Sequence, residues 1–266
     1  MVVSKWHPKL LLFWYNKEMT TEPILNPNER IDQLATNDVK IIQSRDVFSY
    51  SIDAVLLSRF PNIPKRGQIV DLCAGNGAVG LFASSSTTAT ILEVELQERL
   101  ADMAQRSVAL NDLGEQVKVI HDDLANTLRH IKPSSTDLIF CNPPYFKLDE
   151  KSRVNESEHY LLARHELATN LDVICKVSQQ LLKTNGHLAM VHRPDRFFEI
   201  IETMKKYHLV PKRIQFVYPK ADRDANILLI DAIKDGKPGG EKFLPPLIIH
   251  KLDGSYTDEV HHIYYG

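Results

Sequence analysis

The sequence predicts an α/β fold: a mostly parallel, doubly wound sheet that closes with a terminal antiparallel strand. Three observations carry this. Short apolar runs alternate with longer segments of helical periodicity between Gln68 and His192, the order expected of a parallel sheet covered on both faces. The first of these runs enters Gly75-x-Gly77-x-x-Gly80, a glycine-rich passage from strand to helix. The last two, Lys212–Tyr218 and Ala225–Ile233, read as an antiparallel pair.

Composition narrows the class. A chain of 266 residues, 43% apolar and 25% charged, holds one large α/β domain or two small ones and excludes dominant disorder. The net charge of −2 argues against a chain-wide grip on nucleic acid, so any such contact needs a local patch. Cys73, Cys141 and Cys175 are an odd number at wide spacing without Cys-x-x-Cys. That pattern speaks against a disulfide framework or a metal site and for a reducing, cytoplasmic setting, with each cysteine a small buried apolar residue. The apolar run Leu10–Tyr15 is too short for a membrane span of about 20 residues or a signal peptide core of about 7–15, so no membrane is expected. Met19 opens a more ordinary polar leader, and residues 1–18 read as an upstream extension. The expected organisation is an N-terminal extension (1–28), a cap element (29–66), the main domain (67–235) and a tail packed on it (236–266).

In chain order, Glu29–Leu34 starts the cap element and Lys40–Gln43 is a short strand. Ile52, Val55, Leu56 and Phe60 follow at helical spacing behind the capping residue Ser51, which gives a helix covering the sheet. Pro61–Gly67 is a connector. The strand Gln68–Cys73 then enters the glycine turn, where Gly75, Asn76 and Gly77 allow a ligand close to the backbone and the next helix offers free N–H groups. Asp71 at this strand end would repel a pyrophosphate but suits an ammonium or a sulfonium cation. The next strand, Ala89–Glu95, ends in an acid 18 residues after Gly77, near the interval of about 20 at which a carboxylate meets ribose hydroxyls. Glu95, at the carboxyl end, is better placed than Glu93. A helix over 96–111 carries the stripe Leu100, Met103, Ala104, Val108 and Leu110, with Gly114 just past its end. The strand from Val117 then has a polar tip at Asp122 and Asp123, either of which also suits a helix N-cap.

The stretch Asp137–Lys147 carries the chemistry. Leu138, Ile139 and Phe140 make a buried strand, and Asn142-Pro143-Pro144-Tyr145 stops it, because the prolines cannot donate to the sheet and Asn142 is held extended. Such a corner presents an amide, proline carbonyls and an aromatic face to a planar nitrogen on a π-system. Asn142 and the Pro143 carbonyl can accept its two hydrogens, and Tyr145 can stack on its ring. An ordinary strand-ending turn uses the same dipeptides.

These motifs resemble known families. Asp-Leu-Cys-Ala-Gly-Asn-Gly77 is similar to the first motif of S-adenosylmethionine-dependent methyltransferases, and Asn-Pro-Pro-Tyr145 resembles the amino-methyltransferases of adenine N6, cytosine N4 or a glutamine amide. Asn-Pro-Pro-Tyr-Phe-Lys147, Ala-Arg-His-Glu166 and His-Arg-Pro-Asp-Arg196, with the Phe48–Leu57 segment, look like the bacterial transfer-RNA adenine-N6 methyltransferase family over roughly residues 30–235. Departures are the N-terminal 18 residues and Glu93 where a small residue is commoner. The resemblance implies a Rossmann-like class I methyltransferase fold and S-adenosyl-L-methionine as cofactor, held by Asp53, Asp71, Gly75, Asn76, Gly77, Glu95 and Asp123. Gln43 is placed nearby, and Asp122 competes with Asp123 for the adenine contact. It implies Asn142, Pro143 and Tyr145 at the reacting amine, Phe146 and Lys147 on the substrate side, and no metal.

Downstream, 146–159 reads as a polar loop and 161–183 as a helix ended by Asn185-Gly186, before the strand His187–His192 and the helix Phe197–Tyr207. Between Arg193 and Arg223 there are eight Lys/Arg against four acids, the local excess that phosphate contacts require. If RNA is the substrate, and the resemblance implies a transfer RNA as partner, Lys212, Arg213 and Arg223 are expected on the side of Asn142 as phosphate contacts. The same corner serves a protein glutamine-N5 methyltransferase, which would leave the basic segment idle. A non-enzymatic RNA-binding protein would keep the patch and need none of the cofactor acids.

Overall fold

The computed structural model describes residues 25–33, 39–47, 51–144 and 170–265. The strands β1 (Glu29–Gln33) and β2 (Lys40–Ser44) pair antiparallel as a separate two-stranded sheet. Helix α1 (Ile52–Arg59) follows, with the Ser51 hydroxyl accepting from the Asp53 N–H as its cap. The central sheet then begins with β3 (Gln68–Leu72), α2 (Ala78–Ser84), β4 (Thr90–Glu95), α3 (Glu98–Leu110), β5 (Val117–His121) and β6 (Thr136–Cys141). It continues with α4 (Leu171–Leu181), β7 (Leu182–His192), α5 (Phe197–Lys206), β8 (Leu209–Tyr218) and β9 (Ile227–Lys234). The short strands β10 (Lys242–Phe243) and β11 (Leu247–Ile248) and helix α6 (Asp258–Tyr265) end the described chain.

The strands lie in the order β5-β4-β3-β6-β7-β9-β8, with β10 and β11 both on the outer edge of β8. β3 to β7 run parallel, and β9 is antiparallel to both its neighbours. Alternation along each strand explains the two layers. Ile69, Ile91, Leu138 and Phe140 face a core shared with α1, α2 and Val260 of α6. Val70, Val94, Ile139 and Cys141 face the other, shared with α4 and α5. The order reverses between β3 and β6, the switch point where such sheets bind ligands beyond their carboxyl ends.

One boundary differs from the sequence reading. The helix before β7 is capped at Asn170, whose side chain accepts from the Val173 N–H, and it stops at Leu181; its expected first part lies outside the described residues. Asn185-Gly186 does not end the helix. Asn185 takes a positive φ of 63° inside β7, where the pairing with β6 slips from Thr136↔Leu182 to Leu138↔His187. The turn chemistry was read correctly, but it serves a bulge.

Candidate active site

The site is built at the carboxyl ends of β3, β4 and β6. Cys73 and Gly75 take positive φ of 64° and 59°, and Gly77 one of 85° as the residue before α2. A Cβ on Gly75 would meet nothing within 4 Å, so the turn leaves open space for a ligand against the backbone. The Asn76 amide donates to the Ile42 carbonyl at 3.1 Å and ties the turn to β2. Glu95 braces it from the other side. One of its oxygens accepts from the Gly75 N–H and the other from the Gln97 N–H, both at 2.8 Å.

Asp71 and Glu93 are register partners on β3 and β4 and are both fully buried. None of their four carboxylate oxygens has a hydrogen-bond partner among the described residues. Burial, and then the charge of Glu95, pushes the Asp71 carboxyl well above the usual carboxylate range. Burial, and then Asp71, does the same to Glu93. Orphaned buried acids beside an open glycine turn fit a ligand that brings positive charge.

Asn142 follows the last residue of β6 and is half-buried, and Pro143 is buried. Leu72 pairs with Cys141, so Asn142 lies one strand from the start of the glycine turn. The structure thus brings together Asp71, Gly75, Asn76, Gly77, Glu95, Asn142 and Pro143. Tyr145, Phe146, Lys147 and Arg164–Glu166 lie outside the described residues. Asp53 sits in the first turn of α1, which packs on α2. The Gln43 amide donates to Asp32 across the β1–β2 pair.

At the tip of β5, Asp123 caps a 3-10 turn over Leu124–Arg129 by accepting from the Ala125 N–H at 2.8 Å. Its neighbour Asp122 accepts from His130, Asn126 and the Asp123 N–H, and these bonds, His130 first, lower its carboxyl to about 2. Each of the two candidates thus has a structural task, and the cap anticipated for this tip is realised at Asp123.

The basic segment does not converge on the corner as expected. The Lys212 ammonium donates to the carbonyls of Lys237 and Gly239. The Arg213 guanidinium donates to the Phe60 carbonyl at 2.8 Å and lies 4.8 Å from the centre of the Phe60 ring. Through the register with β9 and β7, Arg213 stands level with Phe140, below the rim and three strands from β6. Of the three cations only Arg223, exposed between β8 and β9, lies at the carboxyl-end rim.

Two residues carry more than the sequence reading gave them. Glu93, which the sequence places less well than Glu95, forms the buried pair with Asp71. His192, quoted only within His-Arg-Pro-Asp-Arg196, ends β7 beside β6 and is 2% exposed. Its Nδ1 accepts from the Arg193 N–H at 2.7 Å, and burial, then Arg196, lowers its pKa to about 4. A histidine at a strand's carboxyl end was the available signal. Among the described residues no cluster of three or more His, Cys, Asp or Glu could hold a metal. No helix among them is long and apolar enough to cross a membrane.

Comparisons with known proteins bear on the fold and the family. A tRNA1(Val) (adenine(37)-N6)-methyltransferase of Aliivibrio salmonicida is 27% identical over 210 residues, covering 78% of this chain and 86% of that one. The enzyme of the same name from Photobacterium profundum is 24% identical over 184 residues, covering 68% and 75%. A crystal structure described as a predicted O-methyltransferase from Agrobacterium tumefaciens aligns with TM-score 0.63 at 21% identity, covering 80% and 94%, and shares the fold. The model of the methyltransferase small domain family matches residues 38–217. The chain therefore belongs to the methyltransferase small domain family, whose Rossmann-like class I fold it adopts and whose expected cofactor is S-adenosyl-L-methionine.

Proposed function

We propose that the protein methylates an exocyclic amine, N6 of adenine in a transfer RNA. The observation that carries the reading is the Asn142-Pro143-Pro144 corner at the switch point, one strand from the glycine turn and the buried Asp71. Asp71, the Gly75–Gly77 backbone and Glu95 would hold the cofactor, with Asp53 and one of Asp122 and Asp123 at its periphery. When bound, S-adenosylmethionine supplies a methyl group on a sulfonium, a strong electrophile. Asn142 and the Pro143 carbonyl accept the two amine hydrogens and leave the nitrogen lone pair free to take the methyl. With the thioether as leaving group, such a transfer would give a cationic methylamine held by Asn142 and the Pro143 carbonyl, and its extra proton would pass to water. A weak acceptor suffices for that proton, so no strong base is needed at the corner. The target base must leave its stack to reach Asn142.

The transfer-RNA relatives support adenine as the substrate, and Arg223 on the rim is placed for a phosphate contact. A protein glutamine amide remains a second reading, favoured by the use of Lys212 and Arg213 inside the fold. Incubating the full chain with isotope-labelled cofactor and unmodified transfer RNA, then analysing nucleosides by mass spectrometry, tests the choice. Labelled N6-methyladenosine is expected. Label confined to a protein fraction and surviving RNase would replace the RNA reading with the glutamine one.

A further inference from the structure

Methyl transfer at Asn142 makes no use of Glu93, yet its surroundings are as specific as those of any residue in the site. The parallel register sets Glu93 directly beside Asp71, on the sheet face that α2 covers. Glu95, two residues further along the same face, satisfies both its oxygens with backbone N–H groups. Asp71 and Glu93 satisfy none of theirs among the described residues.

Nor can Glu93 swing away. Its carboxylate fills the room left by two missing side chains, since a Cβ on Gly77 would lie 2.8 Å and one on Gly80 2.1 Å from its oxygens. Among the described residues the elements packed around the pair bring no cation to it: the arginines of α3 pair elsewhere, Arg99 with Asp46 and Arg106 with Glu29 and Asp102. Helix α2 has no ionisable side chain from Ala78 to Ser84, and β6 brings Phe140 to this face. Among the described residues the titratable groups near the pair are Glu95, Cys73 and Cys141, whose ionised forms would all be negative. Two carboxyl groups side by side in an apolar layer do not both ionise without a counter-charge. The upward displacement of both acids agrees with this.

We propose that Asp71 and Glu93 form a proton-holding carboxyl pair that gives up its proton to solvent when a cationic cofactor docks at the glycine turn. Glu93 acts through Asp71 and is a positioning residue. The inference rests on the cofactor assignment and adds a proton to it. The ligand-free protein carries the pair with at least one proton. The ammonium or sulfonium of S-adenosylmethionine supplies the missing counter-charge, and one proton leaves to buffer. Because the complex holds fewer protons than the free protein, affinity rises with pH up to the midpoint of the free pair and is level above it.

Titration calorimetry of the full chain with S-adenosylmethionine, in two buffers of different ionisation enthalpy between about pH 6 and 8, reads the proton count directly. Wild type should release close to one proton, with affinity rising up to about tenfold per pH unit below the midpoint. Glu93→Gln keeps the shape and removes one acid. It should still bind, release fewer protons at neutral pH, and move the rise in affinity to lower pH. Asp71→Asn should bind more weakly and also lose proton release. The cofactor's own amine titrates alike in all three proteins, so differences between them report the pair. Wild type binding without proton exchange would overturn the pair and leave the cofactor assignment standing. An unchanged pH profile in Glu93→Gln would reduce Glu93 to packing, and wild type failing to bind at all would overturn both.

Discussion

At the scale of single residues, place along the chain is easier to read than contact. Asp71, Gly75, Glu95 and Asn142 were legible because a strand end followed by a glycine turn or a proline pair fixes their place before any packing is known. Lys212 and Arg213 were not, since a run of cations does not reveal which carbonyl or ring will capture each one. Asn142→Ala should lower the single-turnover rate by about a hundredfold or more, roughly 3 kcal/mol, while cofactor affinity stays as in wild type. Rapid-quench assays at saturating cofactor would check it, and a near-normal rate would move the reaction away from this corner. His192 makes a prediction about pH. Its folded pKa of about 4 lies below the ordinary value of 6.5, so between those values the unfolded chain binds a proton that the native one refuses. Stability is fully present above about pH 6.5, falls as pH drops towards about 4, and levels off below, with at most roughly 3 kcal/mol at stake. Urea unfolding at several pH values should show this step in wild type and lack it in His192→Gln.

Elements were legible where periodicity and punctuation agreed. β3, β4, β5 and β6 begin and end within about two residues of their expected bounds, because apolar runs flanked by glycine or acids leave little choice. The junction of α4 and β7 was misplaced because Asn-Gly favours left-handed backbone equally at a helix end and in a bulge, and only the pairing of β6 with β7 decides which. The glycine motif has a second reason that sequence spacing does not reveal. Gly80 lies within α2 and meets Glu93 rather than ligand, with the nearest oxygen 2.1 Å from where a Cβ would stand. Gly80→Ala should therefore destabilise the fold by about 1–3 kcal/mol despite alanine's better helix propensity, because Glu93 has no free space to enter. Glu93→Ala in the same chain should recover most of that loss. Denaturant unfolding of the two single variants and the double variant forms a cycle, and purely additive effects would show that the two sites do not touch.

On the scale of the whole molecule, strand order decides where the site lies. Placing β3 between β4 and β6 puts Asp71, Glu95 and the Asn142 corner on one rim, an arrangement set by crossovers that no single segment encodes. The far edge answers a different need. β8 would be an open edge, and the tail covers it through the parallel pairs Lys242↔Arg213 and Leu247↔Val217. Leu247, Ile249 and Val260 then enter the same apolar layer as α1 and α2 and are 1%, 4% and 0% exposed. The tail is thus packed on the domain, as its sequence suggests, and goes further by entering the core that supports the glycine turn. Leu247→Ala should cost about 2–5 kcal/mol, the range for truncating a fully buried leucine. Leu252→Ala, five positions on and 86% exposed, should stay within about 0.5 kcal/mol of wild type. Thermal unfolding of the two variants side by side checks the contrast. Equal small effects would mean that residues after β9 fold on the surface without sharing the core, and the rim would then have to stand without them.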